Sequence, residues 1–392
     1  MKYLERRFPR IGESHFLFGP RGSGKSTWLR HAYPRSLYID LLDPVLFREL
    51  TAQPERLGQA ISRAPRGEPV IIDEIQKAPS LLDSIHQAIE GPARGRQFIL
   101  TGSSARKLRR TGVNLLGGRL LLRQFHPYLA CELGSSFDLD SAVRRGMIPL
   151  VLASARPEET LRAYSTLYIQ QEIREEASVR DLGAFARFLD AVSLSHGGQL
   201  NLNAVARECS VTRRSAEGYT EVLEDMMLAF RLKVFTRRAK RLLASHPKFY
   251  FFDPGVFQAL RPRNPLDTGR EIGGGALEGL VGAHLRAWLA SAQGKNELFY
   301  WRTRAGLEVD FIMFGEAGLY AIEVKSSGDI GAGDVAGLKA FQGDYPEANV
   351  LLLAPSPKTN SMAGVSCMDV STCLSRIIPG EPFPESGEKR RE

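Results

Sequence analysis

Eight consecutive residues, Gly19-Pro20-Arg21-Gly22-Ser23-Gly24-Lys25-Ser26, follow the pattern G-x-x-x-x-G-K-S. No other segment limits the fold of this chain so tightly. The pattern works as a phosphate-binding P-loop only between a strand and a helix, where successive backbone N–H groups and a helix N-terminus converge on phosphate oxygens. Both neighbours are legible. His15-Phe16-Leu17-Phe18 is an apolar run suited to a buried strand, and Thr27-Trp28-Leu29-Arg30-His31 suits the first turns of a helix. The glycines answer a steric need, since a Cβ would hold the backbone away from the phosphate. The motif assigns Lys25 to the β and γ phosphates of a nucleotide such as ATP, and the Ser26 hydroxyl to Mg²⁺. The nucleotide-contacting stretch is therefore expected to run from Gly19 through Thr27.

Hydrolysis needs a second part. Pro69-Val70-Ile71-Ile72-Asp73-Glu74 is a short apolar strand that ends in two acids. Asp73 is placed to bind Mg²⁺ at second hand, in the way P-loop enzymes use the acid at the end of that strand. Glu74 is placed to polarise the attacking water as a general base. A third strand, Gln97-Phe98-Ile99-Leu100, runs into Thr101-Gly102-Ser103-Ser104. Ser103, or Thr101 in second place, is the candidate to sense the γ-phosphate or orient the water. Arg119, within Leu115-Leu116-Gly117-Gly118-Arg119, is the candidate arginine finger, supplied by a neighbouring subunit, with Arg106, Arg109 and Arg110 as rivals.

A length of 392 residues accommodates two or three domains, and 43% hydrophobic with 24% charged residues is ordinary for a soluble globular protein. No apolar run approaches the roughly 18 residues of a membrane span. Met1-Lys2-Tyr3-Leu4-Glu5-Arg6-Arg7 has no apolar core of a secretory signal. Cys131, Cys209, Cys367 and Cys373 are scattered, which argues against a zinc site or a disulfide framework and for a reducing cytoplasm. A net charge of +8 permits binding to nucleic acid or acidic lipid.

The chain divides by pattern. Residues 1–155 alternate strands and helices, the mark of a parallel α/β sheet with helices on both faces. Residues 156–268 turn helical, with apolar periodicity over Glu158–Glu176 and Leu182–Leu194. A short helix from Asn203, a tight turn, and a second helix from Arg213 with Thr212 as its N-cap have the layout of a helix-turn-helix. Arg213 and Arg214 fall at the start of that second helix. Two strand-like runs follow, Leu228–Phe235 and Lys248–Phe252. Between Arg231 and Arg241 lie Lys233, Arg237, Arg238 and Lys240 with no acid among them, a candidate basic wing. Arg213, Arg214, Arg237, Arg238, Lys240 and Arg241 are the expected DNA contacts; the competing reading is a structural winged helix whose positive face is merely solvated or touches the neighbouring domain.

Residues 269–378 form a third α/β unit: an apolar helix Ala276–Leu289 carrying Glu278, strands at 297–302, 307–314 and 319–325, a helix at 335–344 and a strand at 349–353. If Gly315 pairs with Gly318 around Glu316-Ala317, Asp310 lies opposite Glu323 and Glu308 opposite Lys325. Carboxylates gathered beside a lysine are costly unless a cation joins them. Asp310 and Glu323 then make a Mg²⁺ site, Lys325 holds or helps deprotonate a metal-bound water, and Glu278 reaches the site from its helix. The competing reading is a pair of cross-strand salt bridges. Residues 379–392, rich in Pro, Gly and charge, read as a disordered tail.

These motifs carry a resemblance. Gly19 to Ser26, Ile71-Ile72-Asp73-Glu74, Leu100-Thr101-Gly102-Ser103-Ser104 and Gly117-Gly118-Arg119 resemble prokaryotic AAA-type P-loop ATPases that continue into a winged helix and end in a PD-(D/E)XK nuclease-like domain. His246-Pro247-Lys248-Phe249-Tyr250-Phe251-Phe252-Asp253-Pro254-Gly255 is similar to the segment that precedes the last domain in that family, and Glu278, Asp310, Glu323 and Lys325 fill the nuclease positions. The resemblance implies ATP and Mg²⁺ as cofactors, DNA as partner, a restriction-endonuclease-like fold at the C-terminus, and assembly through the ATPase domain without a membrane. The expected function is an ATPase that acts on DNA. The alternative is an ATP-driven switch that binds a protein partner, with a catalytically dead nuclease fold.

Overall fold

The computed structural model describes residues 3–91, 93–104, 106, 108, 120–177, 179, 181–262, 268–292 and 294–384. Five short strands form its first sheet: β1 His15–Phe18, β2 Leu37–Asp40, β3 Val70–Asp73, β4 Phe98–Gly102 and β5 Leu121–Gln124. All their pairings are parallel and the order is β2-β3-β4-β1-β5. A parallel sheet is covered on both faces, so its central strands carry continuous apolar runs rather than alternating ones. Val70, Ile71, Ile72, Phe98, Ile99 and Leu100 are accordingly all buried. Helices Lys25–Ala32, Pro44–Ala52, Glu55–Ser62 and Leu81–Glu90 flank the sheet, close to the expected spans. β1 and β4 are neighbours, and the chain leaves them toward opposite edges, to β2 and to β5. Open α/β sheets bind ligands at the C-terminal ends of strands at such a reversal.

From Pro157 to Ala177 the chain is helical throughout, with one π-helical stretch at Tyr164–Tyr168. Leu182–Ser193, Leu202–Glu208 and Arg213–Asp225 follow. Thr212 accepts a hydrogen bond from the Ser215 N–H, the cap its side chain predicts, and Asn201 caps the preceding helix in the same way. The turn between them passes through Ser210 at φ 55°.

Two strands of this unit, β7 Ala229–Val234 and β8 Lys248–Phe251, pair antiparallel, with β6 Gly198–Gln199 on the outer side of β8. They do not stop there. β7 runs parallel to β9 Asn296–Arg302 through Lys233 and Val234, which joins the middle unit to the third in one nine-stranded sheet. β10 Glu308–Gly315 and β11 Gly318–Val324 continue it, then β12 Asn349–Ala354, and then β14 Val365–Asp369 with β13 Ser361–Met362 outside it. The turn takes the expected register, Gly315 against Gly318 and Phe311 against Ile322.

Three expectations change. The helix that carries Glu278 begins at Gly269, capped by Thr268, rather than at Ala276. The basic stretch after β7 is no free wing but follows the competing reading of contact with the neighbouring domain: Arg237, Arg238 and Arg241 lie against Glu297, Glu347 and Asp344 of the third unit. The tail does not begin at residue 379. Phe383 is buried against Trp288 and Tyr320, and the Trp288 indole donates to the Glu381 carbonyl at 2.8 Å. The expected disorder of residues 385–392 lies outside the described residues.

Candidate functional site

The P-loop occupies the end of β1. Gly22 and Gly24 have φ of 78° and 91°, in the left-handed region that favours glycine, and Gly24 caps the helix Lys25–Ala32. A Cβ on Gly19 would lie 2.3 Å from the Phe125 carbonyl oxygen. Lys25 is buried and donates to the carbonyls of Gly19 (2.6 Å) and Pro20 (3.2 Å). Burial lowers its pKa, and the charges of Glu74 and Asp73 counter that shift. A cavity of about 640 Å³ opens over the loop, lined by Arg21, Gly22, Gly24, Lys25, Ser26 and Thr27 and, on its far side, by Tyr3, His31, Pro149 and Leu150.

Asp73 and Glu74 stand at the end of β3. Asp73 is buried and accepts from the Tyr38 hydroxyl and the Thr101 hydroxyl. Thr101 therefore holds Asp73 from β4, and its Oγ1 also accepts the Glu74 N–H at 3.3 Å. Glu74 takes φ 61°, which turns its backbone sharply at the strand end. Its carboxylate accepts from the Gln76 side-chain amide, which also donates to Ser103 at 3.3 Å. Burial pushes the Glu74 pKa up; Lys25 and the Gln76 hydrogen bond pull it back. A carboxylate with a raised pKa is suited to general-base work near neutrality.

Two participants escape a sequence reading. Gln76 is one, since nothing in a short 3₁₀ turn after an acid marks it. Arg6 is the other. It is buried and donates to the carbonyls of Ser23 (2.8 Å), His126 (2.7 Å) and Pro127 (3.0 Å), and it pairs with Glu132 at 3.0 Å. It ties the N-terminal segment to the P-loop and to the chain after β5. The candidate fingers divide. Arg106 is engaged with Asp225 of the middle unit at 2.5 Å. Arg109, Arg110 and Arg119 lie outside the described residues.

The P-loop also touches the middle unit. Arg21 Nη1 pairs with Glu172 Oε1 at 2.5 Å, and the Tyr164 hydroxyl donates to the Arg21 carbonyl at 2.9 Å. Arg213 and Arg214 are exposed in the first turn of their helix, and Lys240 is exposed in its loop. Arg231, between its expected neighbours, is held by Glu217 and Glu224, each at 2.7 Å.

In the third unit Asp310 and Glu323 come together. The Asp310 N–H donates to Glu323 Oε2 at 3.3 Å, and the Val324 N–H donates to Asp310 Oδ2 at 3.0 Å. β10 carries one extra residue against β9 between Val309 and Ile312, a bulge of the kind that re-aims a side chain. Glu278 joins them from its helix. The expected opposition of Glu308 and Lys325 does not form. Beyond Phe311 and Ile322 the strands part: Lys325 gives its N–H to Leu353 of β12 and its ammonium to Glu323 at 2.7 Å, while Glu308 turns to Arg302 at 2.5 Å. The centre of the cluster is Lys248, on β8. Its Nζ lies 2.9 Å from Glu278 Oε1 and 2.9 Å from Asp310 Oδ1, and it also pairs with Glu308. Burial raises the Glu278 pKa to about 7, with Asp310 adding to the rise and Lys248 opposing it. Burial also raises that of Glu323.

The two sites differ in their fitness for Mg²⁺. At the P-loop, Ser26 and Asp73 stand beside a helix N-terminus with its lysine, and the buried Ser23 hydroxyl has no partner among the described residues; these residues fit a Mg²⁺-nucleotide. At the carboxylate cluster the fit fails, because an ammonium already occupies the carboxylates. Among the described residues no group of three or more His, Cys, Asp or Glu side chains is placed to hold a metal.

Comparison with known proteins bears on the first site. Residues 12–133 match a family described as AAA domain. Residues 136–267 and 273–371 match two families described as domains of unknown function, DUF8612 and DUF4143. Two mycobacterial proteins described as uncharacterized, from Mycobacterium bovis and Mycobacterium tuberculosis, are each 26% identical over 318 residues, 79% of this chain and 69% of theirs. Among solved structures, a RuvB Holliday junction branch migration motor from Thermotoga maritima is 17% identical, covering 56% of this chain and 82% of that one, with a TM-score of 0.26. A signal transduction ATPase with numerous domains from Pyrococcus horikoshii is 12% identical, covering 70% and 43%, with a TM-score of 0.22. A Vibrio cholerae protein is 11% identical, covering 94% and 99%, with a TM-score of 0.23. Likenesses at these TM-scores carry no argument. The family match and the site's own geometry do: the N-terminal unit is an AAA-type P-loop ATPase domain. No helix among the described residues is long and apolar enough to cross a membrane.

Proposed function

We propose that this chain is an ATP-hydrolysing switch that acts on DNA, with a winged-helix middle unit as its DNA reader and a nuclease-like C-terminal unit that does not cut. The observation that carries the switch is the Arg21–Glu172 pair. One residue of the phosphate-binding loop is bonded to a helix of the middle unit, so phosphate arriving at the loop competes with Glu172 for the same guanidinium. Lys25 and the loop N–H groups bind the β and γ phosphates. Ser26 and Asp73 hold Mg²⁺, which neutralises phosphate charge when bound. Glu74 takes the proton of the attacking water, and Gln76 fixes the direction in which the Glu74 carboxylate points.

DNA is favoured by the capped helix Arg213–Asp225, which presents Arg213 and Arg214 to solvent at its N-terminal end. The protein-partner reading is favoured by a different observation: Arg237, Arg238 and Arg241 are already matched by acids of the third unit. Assembly through the ATPase domain rests on Arg119 as a finger, and a cytoplasmic setting is supported by four free thiols. The deciding experiment is ATP hydrolysis with and without DNA at low salt. DNA should raise kcat, and Lys25→Ala should abolish both rates. A rate indifferent to single-stranded, duplex and branched DNA would favour the protein switch.

A further inference from the structure

We propose that Lys248 is a built-in cation, standing where a divalent metal would stand in the carboxylate cluster of the third unit. The C-terminal unit would then hold its acids together without metal and perform no metal-dependent cleavage. The inference rests on reading Glu278, Asp310, Glu323 and Lys325 as a nuclease-like set.

Four acidic side chains converge here: Glu278, Glu308, Asp310 and Glu323. Each has a basic partner. Lys248 serves Glu278, Glu308 and Asp310, Arg302 serves Glu308, and Lys325 serves Glu323. An ammonium has three N–H donors and no acceptor. Lys248 donates to Glu278 and Asp310 and forms an ion pair with Glu308, and its side chain is 2% exposed. Aromatic groups border the cluster: Tyr250, two residues on, donates its hydroxyl to Glu278, and the Tyr300 ring centroid lies 5.8 Å from Nζ.

The lysine is not a mobile visitor. It belongs to β8, where it pairs with Leu232 of β7 on one side and Gln199 of β6 on the other. Withdrawing the ammonium means removing a buried charge from its partners or pulling β8 out of the sheet. A bound ion competing for this position would have to displace it. An unpaired buried ammonium is strongly destabilising, and so are three uncompensated carboxylates. The cluster also ties parts of the chain far apart in sequence, since β8 belongs to the middle unit, whereas the helix Gly269–Leu289 and β10 belong to the third. Charge compensation by lysine therefore fixes how the two units share one sheet.

The test is Mn²⁺ titration of the full chain without nucleotide, by calorimetry and by thermal unfolding. Wild type and Asp310→Asn should give the same isotherm, because Asp310 is already engaged. Lys248→Met should be less stable than wild type, should take up an additional Mn²⁺ that Lys248→Met/Asp310→Asn does not, and should regain several degrees of its midpoint as Mn²⁺ is added. If Lys248→Met does not fold, the wild-type arm decides alone. A wild-type Mn²⁺ site that Asp310→Asn removes overturns the inference while leaving the nuclease-like reading intact. A folded Lys248→Met that binds no additional Mn²⁺ and unfolds like wild type overturns both.

Discussion

Arg21 Nη1 and Glu172 Oε1 lie 2.5 Å apart, the first in the phosphate-binding loop and the second 151 residues away on the helix Ile169–Ala177. The pair is two-sided in its consequences. Glu172 anchors the arginine, and it also faces Lys25 and Glu74 across the loop, where its charge enters the balance of both. Removing that carboxylate frees Arg21 for phosphate and takes a negative charge away from the place where more negative charge must bind.

Glu172→Ala is therefore expected to tighten ATP binding, and Arg21→Ala to weaken it. The pair is partly exposed on the arginine side, so each change should amount to roughly 0.5–1 kcal/mol, a few-fold in Kd. Titration with a fluorescent nucleotide reads both. Weaker ATP binding by Glu172→Ala would mean that the helix supports the loop rather than restrains it.

Gln76 sets a second expectation. Its amide is shared between the Glu74 carboxylate and Ser103, so it holds the base at a fixed angle and stabilises its charged form. Burial raises the Glu74 pKa and the Gln76 bond opposes that rise. Hydrolysis needs the charged form, so kcat should fall on acidification, with an inflection above the ordinary glutamate range. Gln76→Leu removes an opposing influence. Its inflection should move to higher pH, and its kcat at neutral pH should drop about ten- to a hundredfold with little change in Kd for ATP. Glu74→Gln should retain binding and lose about 10²–10⁴ in rate without any inflection. An acid limb at the wild-type position in Gln76→Leu would show that Gln76 does not act on the base.

What sequence made legible and what it hid follow from the range of the interactions. The P-loop, the acids after β3 and the Thr212 cap are local: each residue's role is set by its immediate neighbours along the chain. The β10–β11 register was equally readable, because a two-residue connection leaves the pairing little freedom. Glu308 and Lys325 lie just past the reach of that argument. The β10–β11 ladder ends at Phe311 and Ile322, beside the bulge in β10, while Lys325 stays with β12 by giving its N–H to Leu353, a long-range pairing that no local pattern announces. Lys248 was hidden for a related reason. It opens an apolar run that reads as a strand, and its carboxylates lie 30 to 62 residues further on. The start of the helix that carries Glu278 was obscured by the low helix propensity of Gly273-Gly274-Gly275, of which the last lies against His196 and Phe257, a long-range contact no local pattern announces.

The arginines divide into two classes with different expected behaviour toward DNA. Arg213 and Arg214 are exposed at a helix N-terminal turn, whereas Arg237, Arg238 and Arg241 already face Glu297, Glu347 and Asp344. A phosphate bound by Arg213 or Arg214 releases counterions at little internal cost. One bound in the loop must first break an ion pair. Arg213→Ala/Arg214→Ala should thus lower the log–log salt slope of DNA binding by about 0.9 for each phosphate no longer neutralised. Replacing Arg237, Arg238, Lys240 and Arg241 together should change it less. Fluorescence anisotropy over a salt series reads the slopes, and a larger effect from the loop quadruple would reverse this assignment.

Asp253 supplies the last expectation, one of stability. Its buried carboxylate accepts from the N–H groups of Met147 (2.7 Å), Gly255 (2.9 Å) and Val256 (3.1 Å), capping the helix Pro254–Leu260 while holding the chain that leads out of the ATPase domain. Gly146 lies against the same group at φ 76°, and a Cβ there would stand 1.9 Å from Asp253 Oδ1. Asp253→Ala strands three buried donors, each worth about 1–3 kcal/mol unsatisfied, so a loss of at least about 3 kcal/mol is expected. Gly146→Ala should approach that figure, since it adds left-handed strain and must also displace the carboxylate. Because both changes break one joint, the double variant should be much less destabilised than the sum of the singles. Denaturant unfolding at fixed pH measures all three. Additive losses would mean that the glycine serves its own turn and that Asp253 holds the two units without it.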